Sequence, residues 1–579
     1  MVIDNQNKKE TIKLLDGING FIKPGEMTAL TGPSGSGKST LLDVLSMRKT
    51  VGTLEGDIKF AGNKPSKMFI RRFTGYVEQF DTLLGTLTVE EMLMYTAQLK
   101  RELSEPLEEK QEAVDELLEV MALQSCRSVL IGNPMARGIS GGQAKRVNIG
   151  IALISQPNVL FLDEPTSGLD SYTANEVMSV VRSLANYGIT VCATVHSPTS
   201  YVFNLFDRSM MLLKGKVVYF GENGGQVLDY FQNQCPTVEG LKEGENPAEW
   251  IVDLTTLADR QGRSDEFAAA FAKSPFKEAC DREIEEIVKE SSNTLNDATI
   301  RDLAVTRETV TPFWHALVTL LKYRTLKNYK DGGYLGPRLG DKLLLTFIIF
   351  TLYWGIGDDL STSNIPNLAA VLFMWCTLPA YGAAAYVPAI LAERPVFIRE
   401  RNDGLYRVIT YLTAKIIDEL GVALAASIVF SNVVFWVVNL QGSWPLFWLV
   451  YLATLSCGIV VAYFVAAISP NMDVANAALP AYVTMLLFFA GLLLRWSQIP
   501  WYWRWFGYID FLRYSWGALM VNQFGGANNV PYLGYPGVLE YYSLGDVNMW
   551  GFFGIIFAFF AFFFFAAFMS LSYIKHVKR

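Results

Sequence analysis

Apolar positions change their period twice along the chain. Near the start they come as short runs closed by turn residues. Thr28-Ala29-Leu30-Thr31 runs into a glycine-rich stretch, and Val159-Leu160-Phe161-Leu162 runs into two carboxylates. Such runs predict buried strands. Between them, 88–150 has mostly helical spacing. Thr88-Val89-Glu90-Glu91 reads as a capping box ahead of an apolar stripe, and Leu107 to Leu123 places apolar residues on one side of an acidic, solvated helix. In 311–330, Phe313, Trp314, Leu317, Leu320 and Leu321 share a helical face, with Lys322, Arg324, Lys327 and Lys330 after them. This predicts an amphipathic helix at a membrane surface. Past 335 the pattern turns uniformly apolar. Six stretches, 337–357, 368–391, 417–439, 446–468, 474–494 and 549–573, are each long enough to cross a hydrocarbon core of about 30 Å.

Charge divides the chain the same way. Residues 1–335 hold 80 of the 105 charged side chains and 336–579 hold 25, so a soluble half precedes a membrane half. At 579 residues the chain exceeds what one core holds, and it lacks the polar tracts of a disordered protein. A net charge of −7 without a basic block argues against nucleic acid as a partner. The six cysteines have no zinc spacing and read as buried or membrane-facing thiols. Met1 to Glu10 is polar, with no apolar core of a secretory signal, so the first half is expected in the cytosol.

Lys and Arg set the expected orientation. They gather before the first stretch (Lys322, Arg324, Lys327, Lys330, Arg338), between the second and third (Arg394, Arg399, Arg401, Arg407) and at the end (Lys575, Lys578, Arg579), while 358–367 and 440–445 have none. Both termini are then cytosolic and 495–548 lies outside, in a multi-pass protein expected at the plasma membrane. Segment 495–548 has neither cysteine nor glycosylation sequon. Lys415, Asp418 and Glu419 open the third stretch; snorkelling and local pairing are preferred there over an ion relay. Trp496, Trp501, Trp503 and Trp505 read as an interfacial belt, and the Phe-rich 552–568 as lipid-facing bulk.

The chemistry sits in the first half. Gly32-Pro33-Ser34-Gly35-Ser36-Gly37-Lys38-Ser39, then Thr40, fits the phosphate-binding loop, with a strand before it and a helix after. Its glycines let backbone N–H groups turn around phosphate oxygens at a helix N-terminus. Lys38 is placed for the terminal phosphates of ATP and Ser39 for Mg²⁺. Asp163 closes its strand as a metal-holding carboxylate, and Glu164, one residue on, is placed to polarise the attacking water. Ile139-Ser140-Gly141-Gly142-Gln143 by itself is a glycine turn.

The order of phosphate loop, ISGGQ, FLDEP, SGLD and a later histidine resembles an ATP-binding-cassette nucleotide-binding domain. The resemblance implies an α/β P-loop ATPase fold. It implies a glutamine loop at Val77-Glu78-Gln79, with Gln79 serving Mg²⁺ and water, and a switch histidine at His196 facing the terminal phosphate. It implies a D-loop ending at Asp170, and Ser140, Gly141, Gly142 and Gln143 closing over ATP held by another copy. It also implies a helical subdomain between the glutamine loop and Ser140. One departure concerns adenine: no aromatic precedes Phe21, and the chain starts only 31 residues before Gly32. Either adenine packs on aliphatic residues or a first strand is missing.

Motor first and membrane second resembles the G subfamily of these transporters. Asn246-Pro247-Ala248-Glu249-Trp250, then 393–400 with Gly404-Leu405-Tyr406 as a coupling loop, then Gly491-Leu492-Leu493 with Ile499-Pro500 match that subfamily's segments. ISGGQ departs from its frequent Val-Ser-Gly-Gly-Glu form. The resemblance divides the chain into a nucleotide-binding domain (1–255), a linker with connecting helix (256–335) and an all-α, six-helix ABC-2 type membrane domain (336–579). It implies a half-transporter that uses ATP to export hydrophobic or amphipathic molecules (lipid, sterol or xenobiotic) across a membrane, paired with a second copy or a related half-transporter. Thr377 and Tyr381 on the second span, with Thr484, Leu492 and Leu493 on the fifth, would line the path. The alternatives are a regulatory ATPase that transports nothing, or an importer.

Overall fold

The computed structural model describes residues 2–4, 11–132, 138–235, 240–241, 246–293, 303, 305, 307–574 and 576. Lys575, Lys578 and Arg579, used above for orientation, lie outside the described residues, as do Met1 and 5–10. Packing separates two units, one of Met1–Thr319, Val396–Arg407 and Val577–Arg579, the other of Leu320–Pro395 and Val408–His576.

The first unit is built on a six-stranded sheet. After a short antiparallel ribbon of β1 (Val2–Asp4) and β2 (Thr11–Lys13) come β3 (Met27–Thr31), β4 (Thr74–Val77), β5 (Val159–Leu162), β6 (Thr190–Thr194), β7 (Arg208–Leu213) and β8 (Lys216–Glu222). The order is β4-β5-β6-β3-β7-β8, parallel except for β8, which returns antiparallel on β7. β3, β4, β6 and β7 are buried along their whole length, which is why the sequence shows unbroken apolar runs rather than alternation. The ribbon supplies strands upstream of Phe21, where the pattern left a first strand in doubt.

Helices α1 (Lys38–Leu45), α2 (Lys67–Phe73), α3 (Val89–Lys100), α4 (Leu107–Val120), α5 (Gly141–Leu153) and α6 (Ser171–Asn186) complete the part that positions the site. The Thr88 and Glu91 capping box starts α3 as expected. Its burial is not confined to one stripe, since Met92 to Ala97, Leu99 and Lys100 are all buried. Two segments distant in sequence cover it. His315 Nε2 lies 3.1 Å from the Gln98 carbonyl, and Tyr95 Oη donates to Glu400 at 3.3 Å.

In the second unit, Ile365–Asn402, Val408–Val438, Trp444–Ile468, Met472–Phe489 and Met549–Tyr573 are, among the described residues, the five helices long and apolar enough to cross a membrane. The remaining expected span, 337–357, is a helix over Gly332–Leu352 that carries Arg338, Asp341 and Lys342, so it falls short on composition. The expected coupling loop from 393 is helical to Asn402, because the second span continues through a 3₁₀ turn at Ala383–Tyr386.

Of the snorkelling and local pairing expected at the third stretch, the pairing is present and the snorkelling is not. Lys415, Asp418 and Glu419 are buried and met locally. Glu419 pairs with Arg338, Lys415 lies 2.6 Å from Glu393, and Asn328 Nδ2 donates to Asp418 at 3.0 Å. Within 495–548, Phe511–Phe524 is a buried helix. Trp516 Nε1 donates to the Ala369 carbonyl at 3.1 Å, and Thr454 Oγ1 donates to Ser515 Oγ at 2.7 Å.

Candidate functional site

Open parallel sheets bind ligands beyond the carboxyl ends of their strands, because connecting loops and helix N-termini converge there. Here the ends of β3, β4, β5 and β6 deliver the phosphate loop, Gln79, Asp163 with Glu164, and His196. The loop's shape depends on two glycines. Gly32 has φ +135° and a Cβ on it would lie 2.2 Å from the Leu212 carbonyl oxygen; Gly37, which caps α1, has φ +102°. Neither position accepts a side chain without strain. The ammonium of Lys38 is folded onto the loop, donating to the carbonyls of Gly32 at 2.7 Å and Pro33 at 2.9 Å. Burial lowers its pKa, while Glu164 and Asp163 pull the other way. A partly desolvated cation at a helix N-terminus is prepared for an anion.

The carboxylates take distinct roles. Asp163 Oδ1 accepts from Ser39 Oγ at 3.0 Å and from Thr194 Oγ1 at 2.8 Å. The Glu164 backbone turns to φ +45°, held by its N–H donating to Thr194 Oγ1 at 2.8 Å. Gln79 Nε2 donates to Glu164 Oε2 at 2.7 Å. A hydroxyl and a carboxylate oxygen this close fit Mg²⁺, which takes few protein ligands and completes its shell with water and phosphate oxygens.

Two residues were not anticipated. Thr194 bridges Asp163 and Glu164 from the end of β6. Lys145, on α5, donates to the Gln79 carbonyl at 2.8 Å and pairs with Asp81 at 3.0 Å, fixing the glutamine loop. Its sequence signal is a lysine and an asparagine one turn apart, Lys145 and Asn148, on a helix otherwise rich in apolar residues, and both reach Asp81.

Other expected residues stand apart from this cluster. His196 is exposed, with Nδ1 3.2 Å from Ser197 Oγ. Ser140 caps α5. Its Oγ accepts from Gln143 N at 3.3 Å and its N–H donates to Gln143 Oε1 at 2.9 Å, with Gly141 exposed beside it. Gly142 is required where α5 meets α6, since a Cβ there would lie 2.2 Å from Thr173 Cγ2. Asp170 caps α6 through Thr173, whose hydroxyl and N–H donors hold the carboxyl below its usual range. Ser34 and Gly35 are exposed, Ser36 is buried and Thr40 half-buried.

In the second unit, Tyr381 Oη and Thr484 Oγ1 lie 2.6 Å apart, and Thr484 Oγ1 donates to the Pro480 carbonyl at 2.8 Å. Thr377 is buried, Leu492 half-buried and Leu493 60% exposed. Both leucines follow Gly491, at φ +111°, where a Cβ would meet the Trp516 ring at 2.8 Å.

A P-loop ATPase domain followed by a domain of long apolar helices defines an ATP-binding-cassette transporter. Residues 15–167 match the ABC transporter family and 315–524 the ABC-2 type transporter family. ABC transporter G family member 21 of Dictyostelium discoideum is 32% identical over 520 residues, covering 88% of this chain and 35% of the relative. G family member 33 of Arabidopsis thaliana is 31% identical over 528 residues, covering 90% and 37%. One solved ATP-binding cassette, a post-hydrolysis dimer with ADP and Pi, is 28% identical, covering 39% of this chain and 97% of that one, with a TM-score of 0.34. The chain belongs to the G family of ABC transporters. It spans about a third of the length of the curated relatives it matches.

Proposed function

We propose that this chain is a half-size transporter that hydrolyses ATP to export a hydrophobic or amphipathic molecule across a membrane, working as a dimer with itself or a relative. The observation that carries the reading is the convergence, beyond the carboxyl ends of the strands, of Lys38 on the phosphate loop with the hydrogen-bonded Ser39–Asp163 and Gln79–Glu164 pairs. Residues 1–255 form the motor, 256–335 the connector and 336–579 the membrane domain, with both termini in the cytosol and the plasma membrane as location.

The phosphate loop's N–H groups and Lys38 hold the triphosphate, the ammonium exchanging its two carbonyl partners for phosphate oxygens. Ser39, Asp163 and Gln79 would hold Mg²⁺, which supplies charge neutralisation at the β- and γ-phosphate oxygens. Glu164 polarises a water and accepts its proton. The water oxygen bonds to the γ-phosphorus as the bond to the β–γ bridging oxygen breaks, and the proton passes on to the products. His196 donates to the terminal phosphate. Each chain offers one phosphate loop and one Ser140-Gly141-Gly142, and the latter is engaged only in capping its own helix. A second copy therefore completes the site, presenting the N-terminus of α5 to the nucleotide.

Hydroxyls of Thr377, Tyr381 and Thr484 among apolar walls closed by Leu492 and Leu493 suit a flat amphipath such as a sterol, another lipid or a xenobiotic. The test is Glu164→Gln in reconstituted vesicles. ATP binding persists, while hydrolysis and outward transport are lost. Near-normal turnover in this variant removes Glu164 from the role of base; solute-binding-protein-dependent inward accumulation makes the protein an importer; ATPase without any transport makes it regulatory.

A further inference from the structure

Away from the nucleotide cluster, the first unit holds a cavity whose polar lining lacks partners. It lies between α2, the end of α3, residues 307–310 and the turn at Asp403 and Gly404. Lys100, the last residue of α3, is 9% exposed, and among the described residues its ammonium has no hydrogen bond or ion pair. Ser155 Oγ is buried and makes no hydrogen bond. Arg71 and Arg307 line the same space and show no ion pair among the described residues. Two carboxylates oppose this charge. Asp403 is already paired with Arg48, and Glu308 stands in electrostatic range of Arg71. Arg72 is occupied by Glu102 at 2.8 Å. Three cations with one uncommitted carboxylate leave positive charge facing a partly enclosed space. A desolvated, unpaired ammonium is among the costlier groups to bury, and such groups are normally satisfied.

We propose that this cavity binds a phosphate group, taken between Lys100, Arg71 and Arg307 with Ser155 donating its hydroxyl. A dianionic tetrahedral group supplies several acceptors at once, which matches guanidinium forks and one ammonium better than a carboxylate does. Burial lowers the pKa of Lys100 and of Arg71, and an anion beside them restores the charged forms. Because Asp403 and Gly404 belong to the turn that follows the second membrane helix, an occupied cavity fastens that turn to α2 and α3. The site is therefore regulatory rather than catalytic. The phosphate has two sources in a cell, a free phosphate ion or a phosphorylated lipid headgroup.

The test uses the full chain in nanodiscs, with a non-hydrolysable ATP analogue at saturation so that the phosphate loop is filled. Inorganic phosphate is titrated calorimetrically on phosphatidylcholine nanodiscs, and in a second arm phosphatidylinositol 4-phosphate is added to the nanodisc and the thermal midpoint followed. Binding in the first arm or a raised midpoint in the second supports the site, and the arm that responds names the source. Lys100→Met weakens the response about 10- to 100-fold, the worth of one charge-assisted contact. Glu308→Gln strengthens the response. Arg71→Gln repeats the loss if Lys100→Met fails to fold. No response in either arm, or a response indifferent to Lys100 and Arg71, overturns the proposal.

Discussion

Glu400 carries the firmest prediction about coupling. It is fully buried in the last turns of the Ile365–Asn402 helix, yet it packs within the ATPase unit. Its Oε2 accepts from Tyr406 Oη at 2.6 Å and from Tyr95 Oη, in the middle of α3, at 3.3 Å; Arg399 lies 3.7 Å away. The short bond to a charged acceptor is worth about 1.5–3 kcal/mol and the long one about 0.5–1.5 kcal/mol. Glu400→Ala takes this acceptor from both phenols and leaves Arg399 with only the more distant Asp403 carboxylate of the two that face it. Removing one member of a buried charge pair costs about 3–5 kcal/mol. The Glu400 partners named here, Tyr95, Tyr406 and Arg399, are not phosphate-site residues, so hydrolysis persists while its link to the membrane helices loosens. The assay is the ratio of vesicle transport to phosphate release. Glu400→Gln keeps one carbonyl acceptor and retains part of the ratio; Glu400→Ala loses about tenfold or more, the equivalent of about 1.4 kcal/mol. Tyr406→Phe lowers the ratio more than Tyr95→Phe, following the bond lengths. An unchanged ratio in Glu400→Ala, or the reverse order for the tyrosines, refutes the reasoning.

Two further outcomes follow from the same unit. ATPase activity of the purified protein rises with dimer formation and disappears on dilution to monomer, because Ser140 of one copy completes the site holding Lys38 of the other; an active monomer in an analytical-ultracentrifugation and activity series refutes this. Burial favours the neutral form of Asp403, but Arg48, Lys100 and Arg399 outweigh it and hold the carboxyl below the usual carboxylate range. A depressed pKa gives stability that is complete above the unfolded value of about 3.9 and fades as pH falls through the folded value. The thermal-midpoint gap between the parent and Asp403→Asn is therefore constant from neutral pH down to about 5 and closes only below about 4; a gap that closes near neutrality refutes the assignment.

What the sequence made legible was local. The phosphate loop, the strand ending in Asp163 and Glu164, and the α3 capping box each depend on neighbours within a few residues, and each is where the pattern put it. What escaped was long-range. Lys145 is a glutamine-loop anchor only because α5 packs beside Gln79, a relation no spacing encodes. Thr194 reads as an ordinary strand residue until β6 and β5 pair in parallel and bring its hydroxyl to Asp163. In the membrane half, mean apolarity was an incomplete guide. Phe511–Phe524 is buried although Arg513, Asn522 and Gln523 dilute it and its 14 residues are too few to span. Gly332–Leu352, the expected first span, carries its apolar run over Leu343 to Leu352, and its charged turn is met by Glu419 from another helix. Hydropathy counts side chains singly, and a buried ion pair is a property of two.

The pairing of Tyr381 with Thr484 gives the last prediction. Thr484 is exposed and Tyr381 half-buried, on two helices of the second unit, and the Met472–Phe489 helix is mostly uncovered in a single chain. Hydroxyls facing hydrocarbon are costly unless satisfied, and these two satisfy each other and the Pro480 carbonyl. Such a pair serves either helix packing or contact with an amphipath, and the two roles separate by substitution. Tyr381→Phe removes one hydroxyl, at about 0.5–1.5 kcal/mol, and leaves Thr484 bonded to Pro480. A packing role predicts a lower folded yield with the order of substrate preference intact. A lining role predicts normal yield and basal ATPase, with the ranking of sterol and drug substrates altered, because a polar partner for their single hydroxyl is gone. Tyr381→Ala exaggerates whichever outcome applies by opening the wall. Transport ranking across a lipid and drug panel, measured beside yield, decides it: an unaltered ranking in both variants removes Tyr381 and Thr484 from the substrate path.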